Sequence, residues 1–155
     1  MFPGGFNLSY QEYLVLRGYD PSCGALTILK RALITSWSEP GFHRFWRLWN
    51  PGIGHILYRF YRLLGGNRYP LIASMVVFSV CGFIHDALVM MIFQRSFIAF
   101  TTAFTLFGFF AVLNRYLEPV LNQKQWPGIL NVLVNLTLLA VSIHTAVQLQ
   151  MSLFP

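Results

Sequence analysis

His85 and Asp86 interrupt a stretch that is otherwise largely apolar, Pro70–Phe93, read PLIASMVVFSVCGFIHDALVMMIF. It is long enough to cross a bilayer, which takes about 20 apolar residues. A carboxylate at the centre of a spanning helix costs roughly 2.5–3.5 kcal/mol on insertion scales, so it survives only where it faces protein or water. An imidazole at that depth is a candidate general base, because burial keeps the ring neutral and able to accept a proton. At helical spacing His85 shares a face with Ser74, Phe78, Cys81, Gly82 and Val89. Gly82 leaves room there for a substrate or another helix. Asp86 lies about 100° further round, where it cannot easily hold the His85 ring. It is expected to meet a neighbouring helix or a backbone group. The plain alternative is that both residues are polar contacts between helices.

A second constellation is FHRFWRLWNP, Phe42–Pro51. Phe42, Phe45, Trp46 and Trp49 fall on one helical face, and His43, Arg47 and Asn50 on another. Asn50 precedes Pro51, so a helix should stop there and leave backbone groups and a side-chain amide able to orient a ligand. The plain alternative for Arg44, Trp46, Arg47 and Trp49 is anchorage at the headgroup level of a membrane.

The elements that must position these residues follow from composition. The chain has 155 residues, of which 55% are hydrophobic and 10% charged. A typical soluble domain is about 25% charged, so this composition is that of a membrane protein. The expected fold is an all-α integral membrane protein. Residues 1–69 form amphipathic interfacial helices with the aromatic-basic motif, and residues 70–155 form a region of about three transmembrane helices.

In the first part, Ser9 and Glu12 fit a capping box for a helix ending at Gly18, and Asp20-Pro21 starts a second. Ser36 and Glu39 fit another capping box, with Pro40 in the first turn. A further amphipathic helix runs from Ile53 to Leu64 and ends at Gly65-Gly66. In the second part the spans are Pro70–Phe93, Phe97–Leu117 and Ile129–Met151. The last carries Asn131, Asn135 and Ser142 on one face, with His144 and Gln148 on another.

Eight of the eleven Lys and Arg residues precede residue 70. That asymmetry implies a multi-pass protein with a cytoplasmic N-terminus and an external C-terminus. The basic residues alternate with aromatic ones, a membrane pattern rather than a nucleic-acid one. Cys23 and Cys81 make neither a disulfide framework nor a metal spacing. The N-terminus lacks the pattern of a cleavable signal, and the sequon Asn7-Leu8-Ser9 is expected to stay unused. Enclosing His85, Asp86, Asn131 and Asn135 within three spans calls for a homo-oligomer or a partner membrane subunit.

Taken together, Phe42–Pro51 and CGFIHDALVM at Cys81–Met90 make the chain resemble the membrane-bound O-acyltransferase family over about Trp37–Phe93. The family pattern is an aromatic, basic stretch ending in Trp and a polar residue, then a histidine in an apolar helix. Trp49-Asn50 and His85 match it. Family members are usually at least twice this length. The resemblance implies transfer of an acyl group from a thioester donor, acyl-CoA or another, to an acceptor hydroxyl. His85 would be the general base and Asn50 would orient the donor or stabilise charge. Arg44, Trp46, Arg47, Trp49 and Asp86 would contact substrate, and Arg44, Arg47, Arg59 and Arg62 would hold a phosphate-bearing carrier. No cofactor would be permanently bound. Two rival readings are a non-catalytic assembly subunit, and a haem subunit using His85 and His144, each fifteen residues into its span.

Overall fold

The computed structural model describes residues 8–154, and every regular element among them is helical. Asn7 of the sequon lies outside the described residues. The first helix, Tyr10–Leu16 (α1), opens on the expected capping box. The Ser9 hydroxyl accepts from the Glu12 N–H, and the Glu12 carboxylate accepts from the Ser9 N–H at 2.8 Å. Gly18, with φ at +81°, follows its end.

Two helix starts differ from the sequence expectation. Asp20 does not cap the second helix. Its Oδ1 accepts from the Ser22 N–H at 2.9 Å and the Ser22 hydroxyl at 2.7 Å, closing a turn of its own. The helix begins at Ala25, runs to Ser38 (α2) and has Gly24 as N-cap. Ser36 and Glu39 do not form a capping box either. Ser36 is buried inside α2, where its hydroxyl donates to Leu33 O, and Glu39 is the C-cap. The helix expected through Trp37 continues one residue to Ser38, and within it the Trp37 ring packs 5.0 Å from Phe45 and 5.6 Å from Trp49. The following helix, Phe42–Leu48 (α3), is entered through Gly41 at φ +108°, which suits a residue without a side chain. A Cβ there would also lie 2.7 Å from Asn114 Oδ1.

Trp49 closes α3, and Asn50 caps the next helix, Pro51–Leu63 (α4), accepting from the Ile53 N–H at 3.3 Å with Pro51 in the first turn. The long helices are Pro70–Phe93 (α5), Ala99–Leu121 (α6) and Gly128–Leu153 (α7). By length and composition, α5 and α7 are apolar enough to cross a membrane. Helix α6 has the length, but it runs past the expected Leu117 and carries Asn114, Arg115 and Glu118 in its last turns.

Helix α6 packs against both α5 and α7. Gly82 allows the close approach of α5: a Cβ there would sit 2.7 Å from Thr101 Cα. Asp86 completes that junction. Its Oδ1 accepts from the Phe100 N–H at 2.8 Å and its Oδ2 from the Thr101 N–H at 2.6 Å. These are donors of the first turn of α6, which no residue of α6 itself satisfies. Asp86, 1% exposed, is therefore the cap of α6 supplied by another helix.

The aromatic face of α3 lies in the core rather than at an interface. Phe42 and Phe45 are buried with Phe107, Ala111 and Ala146, and the Trp46 ring lies 4.9 Å from Phe107 and 5.4 Å from Phe78. Headgroup anchorage is thus not the place of Trp46. Asn135 faces inward, donating to Trp37 O at 3.0 Å, and Asn131 is also buried. One chain encloses Asp86, Asn131 and Asn135, so their polarity does not by itself require a second copy.

Candidate functional site

Helices α1, α3 and α4 stand against α5 and α6 around a cavity of about 460 Å³. Its α5 wall is Ser74, Val77, Phe78, Cys81 and His85; of the face expected from helical spacing, Gly82 and Val89 do not line it, and Val77 is added. Gly82 and Asp86 belong to the adjoining face, packed on α6.

The tautomer of His85 follows from its partner. Nδ1 lies 2.6 Å from Cys81 O, and a carbonyl only accepts, so Nδ1 carries the hydrogen. In the neutral ring Nε2 is then the lone-pair nitrogen. The Phe104 ring stacks on the imidazole at 5.1 Å and 25°, with Phe100 at 5.5 Å. The backbone bond and these rings hold the imidazole in place.

Asn50 lines the same cavity. Its Oδ1 is engaged by the Ile53 N–H, and its Nδ2 has no hydrogen-bond partner among the described residues. An amide whose oxygen is pinned offers two N–H donors to whatever occupies the cavity. The His85 imidazole and the Asn50 amide therefore reach one chamber although 35 residues separate them in the chain.

The other expected site residues divide. Trp46, Arg47 and Trp49 line the cavity. Arg44 does not; it is paired with Glu118, which also lies 4.0 Å from Lys124 Nζ and 3.5 Å from His43 Nε2. Arg59 lies outside the cavity, and Arg62 donates to Asn67 Oδ1. His144 is on the exposed face of α7 and does not share the chamber of His85.

Three cavity residues were not assigned to the site from sequence, although His43 was placed on a polar face with Arg47 and Asn50. Arg17 and Arg115 line the cavity, as does His43. The Arg17 guanidinium lies 4.8 Å from the Tyr13 ring centre and 5.5 Å from that of Tyr58. Tyr13 and Arg17 are spaced i, i+4 on α1, which is a readable cation–π signal. Arg115 and His43 carry no such signal, because the contacts that aim them are made between α3 and α6. His43 Nδ1 lies 3.0 Å from Asn114 Oδ1, and Asn114 Nδ2 donates to Gln123 Oε1 at 3.0 Å. Burial pushes the His43 imidazole below its usual value, against the Asn114 hydrogen bond and the Glu118 charge, with Arg44 and Arg115 adding to the lowering.

No family model, curated protein or solved structure matches this chain.

Proposed function

We propose that this chain is a membrane-embedded acyltransferase in which His85 is the general base. The observation that carries the reading is one cavity lined by a histidine with a lone-pair Nε2 and an asparagine whose Nδ2 has no partner among the described residues. In the reaction His85 Nε2 takes the hydroxyl proton as the oxygen attacks the thioester carbonyl carbon. Asn50 Nδ2 donates to the oxygen that becomes negative. The C–S bond then breaks, and the leaving thiolate takes the proton from His85. Ester and thiol are the products, and the base is restored. The likeness of Phe42–Pro51 and Cys81–Met90 to the membrane-bound O-acyltransferase pattern supports the same chemistry.

The membrane arrangement is part of the proposal. Helices α5 and α7 cross the bilayer. Five residues join α5 to α6 and six join α6 to α7, so α6 must return between them and crosses too. The basic excess before residue 70 puts the N-terminus in the cytoplasm.

The test is transfer from a labelled acyl thioester to a hydroxyl acceptor by the purified protein in detergent. His85→Ala should lower the rate by about 10²–10⁴-fold, the usual share of general-base help. Asn50→Asp keeps the helix cap but removes the donor, and should lower turnover while the melting temperature holds. Undiminished transfer by His85→Ala removes the assignment.

A further inference from the structure

The cavity carries more positive charge than the chain neutralises. Arg17, Arg47 and Arg115 all line it. Among the described residues none of the three has a carboxylate within 4 Å, whereas Arg44 has Glu118. The sequence has only five acidic residues. Glu12 is bonded to Ser9, Asp20 to Ser22, Asp86 to the start of α6, and Glu118 to Arg44. Glu39, the fifth, makes no ion pair among the described residues. Arginine remains protonated throughout the accessible pH range, so these charges cannot be relieved by titration.

The Arg17 charge is also held in place. Two tyrosine rings flank the Arg17 guanidinium, and Arg17 Nε is buried with no hydrogen-bond partner among the described residues. Protein crowds the Arg47 head although much of the residue is exposed, and after that burial the Arg17 charge is the strongest influence lowering its pKa. Two arginines that repel one another across a cavity wall are stabilised by an anion between them.

The distance from these charges to the reactive groups can be read along two helices. Arg115 adjoins Ser74, since both line a smaller cleft with Pro70 and Tyr116. Ser74 is eleven residues before His85, about 16 Å at 1.5 Å per residue. Arg17 lies over Tyr58, eight residues after Asn50, about 12 Å by the same rise.

We propose that Arg17, Arg47 and Arg115 form an anion seat for the phosphate of an extended ligand, whose other end lies roughly 12–16 Å away beside His85 and Asn50. The assignment rests on the same chamber as the catalytic reading and names the ligand class it takes. It replaces Arg44, Arg59 and Arg62, which do not line that chamber. Two sources share this chemistry: a phospholipid, and a nucleotide thiol carrying phosphates on a flexible arm.

The experiment is equilibrium binding of dodecyl phosphate to the full chain in neutral detergent, with dodecyl maltoside as the uncharged control. Dodecyl phosphate should bind with an affinity that falls as salt is raised. Arg17→Gln, Arg47→Gln and Arg115→Gln should each weaken it about tenfold or more, the effect of losing one charge-assisted partner. Arg17→Lys keeps a cation over the tyrosines and should recover part of the loss, which separates charge from folding. Arg59→Gln, outside the chamber, should bind as the parent does. Phosphatidic acid or coenzyme A, added as competitors, should displace the probe, and whichever does so identifies the source. Binding that is indifferent to head charge, arginine substitutions without effect, or displacement by neither competitor overturns the seat. Loss of binding in the arginine variants beside unchanged transfer in His85→Ala would leave the seat standing and remove the catalytic reading.

Discussion

Replacing Asp86 separates its structural role from a substrate-binding one. Its two oxygens hold the Phe100 and Thr101 N–H groups at 2.8 Å and 2.6 Å, and the residue is buried. Hydrogen bonds to a charged group are worth about 1.5–3 kcal/mol each, so the pair contributes about 3–6 kcal/mol to the packing of α5 on α6. In Asp86→Ala both amides lose their acceptor. The same change relieves roughly 2.5–3.5 kcal/mol of insertion cost in α5. The two consequences have opposite signs and belong to different steps. Asp86→Ala should insert more readily in a glycosylation-reporter assay, yet melt at lower temperature in detergent. For a chain of this size a loss of 3 kcal/mol lowers the midpoint by about 6–12 °C. Asp86→Asn should fall between, because its amide keeps one acceptor and turns a donor toward the other N–H. Below its own melting range, Asp86→Ala should retain the parent KM for the acyl donor. An unchanged melting temperature would refute the capping role, and a raised KM in a stable variant would return Asp86 to the substrate site.

Three further outcomes follow from the packing. Gly82→Ala puts a methyl 2.7 Å from Thr101 Cα, so the helices must part, and thermal unfolding should show a loss of about 1–3 kcal/mol. The folded state lowers the proton affinity of His43, so below its ordinary value of 6.5 the unfolded chain binds more protons than the folded one. Stability should therefore be full above that pH and fall as pH drops through it, by at most about 1.36 kcal/mol per pH unit, and His43→Gln should flatten that part of the profile. His144→Ala should leave acyl transfer intact, since the residue is outside the chamber, and a Soret band lost in that variant would favour the haem reading instead.

Local chemistry was enough to read several features from the chain. The bounds of α5 follow from its apolar run between Pro70 and Gln94, and the α1 capping box needs only Ser9 and Glu12. The break at Asn50-Pro51 is likewise a matter of two neighbours. The cavity-facing stripe Ser74, Phe78, Cys81 and His85 is helical periodicity and nothing more. Tertiary structure decided the rest. Ser36, which looked like a cap, lies buried inside α2, where Trp37 docks on Phe45 and Trp49. Asp86 could be read as a buried acid in need of a partner, but not as the cap of a helix beginning at Ala99, because the donors it meets become vacant only when α5 and α6 pack. The three arginines come from α1, α3 and α6, and which cations stand together depends on how those helices converge. Arg44 and Arg47 look alike in sequence, yet one meets Glu118 and the other faces the chamber. Hydrophobic periodicity reports which side of a helix is buried; it holds no information about what lies opposite, and charge pairing is set entirely by what lies opposite.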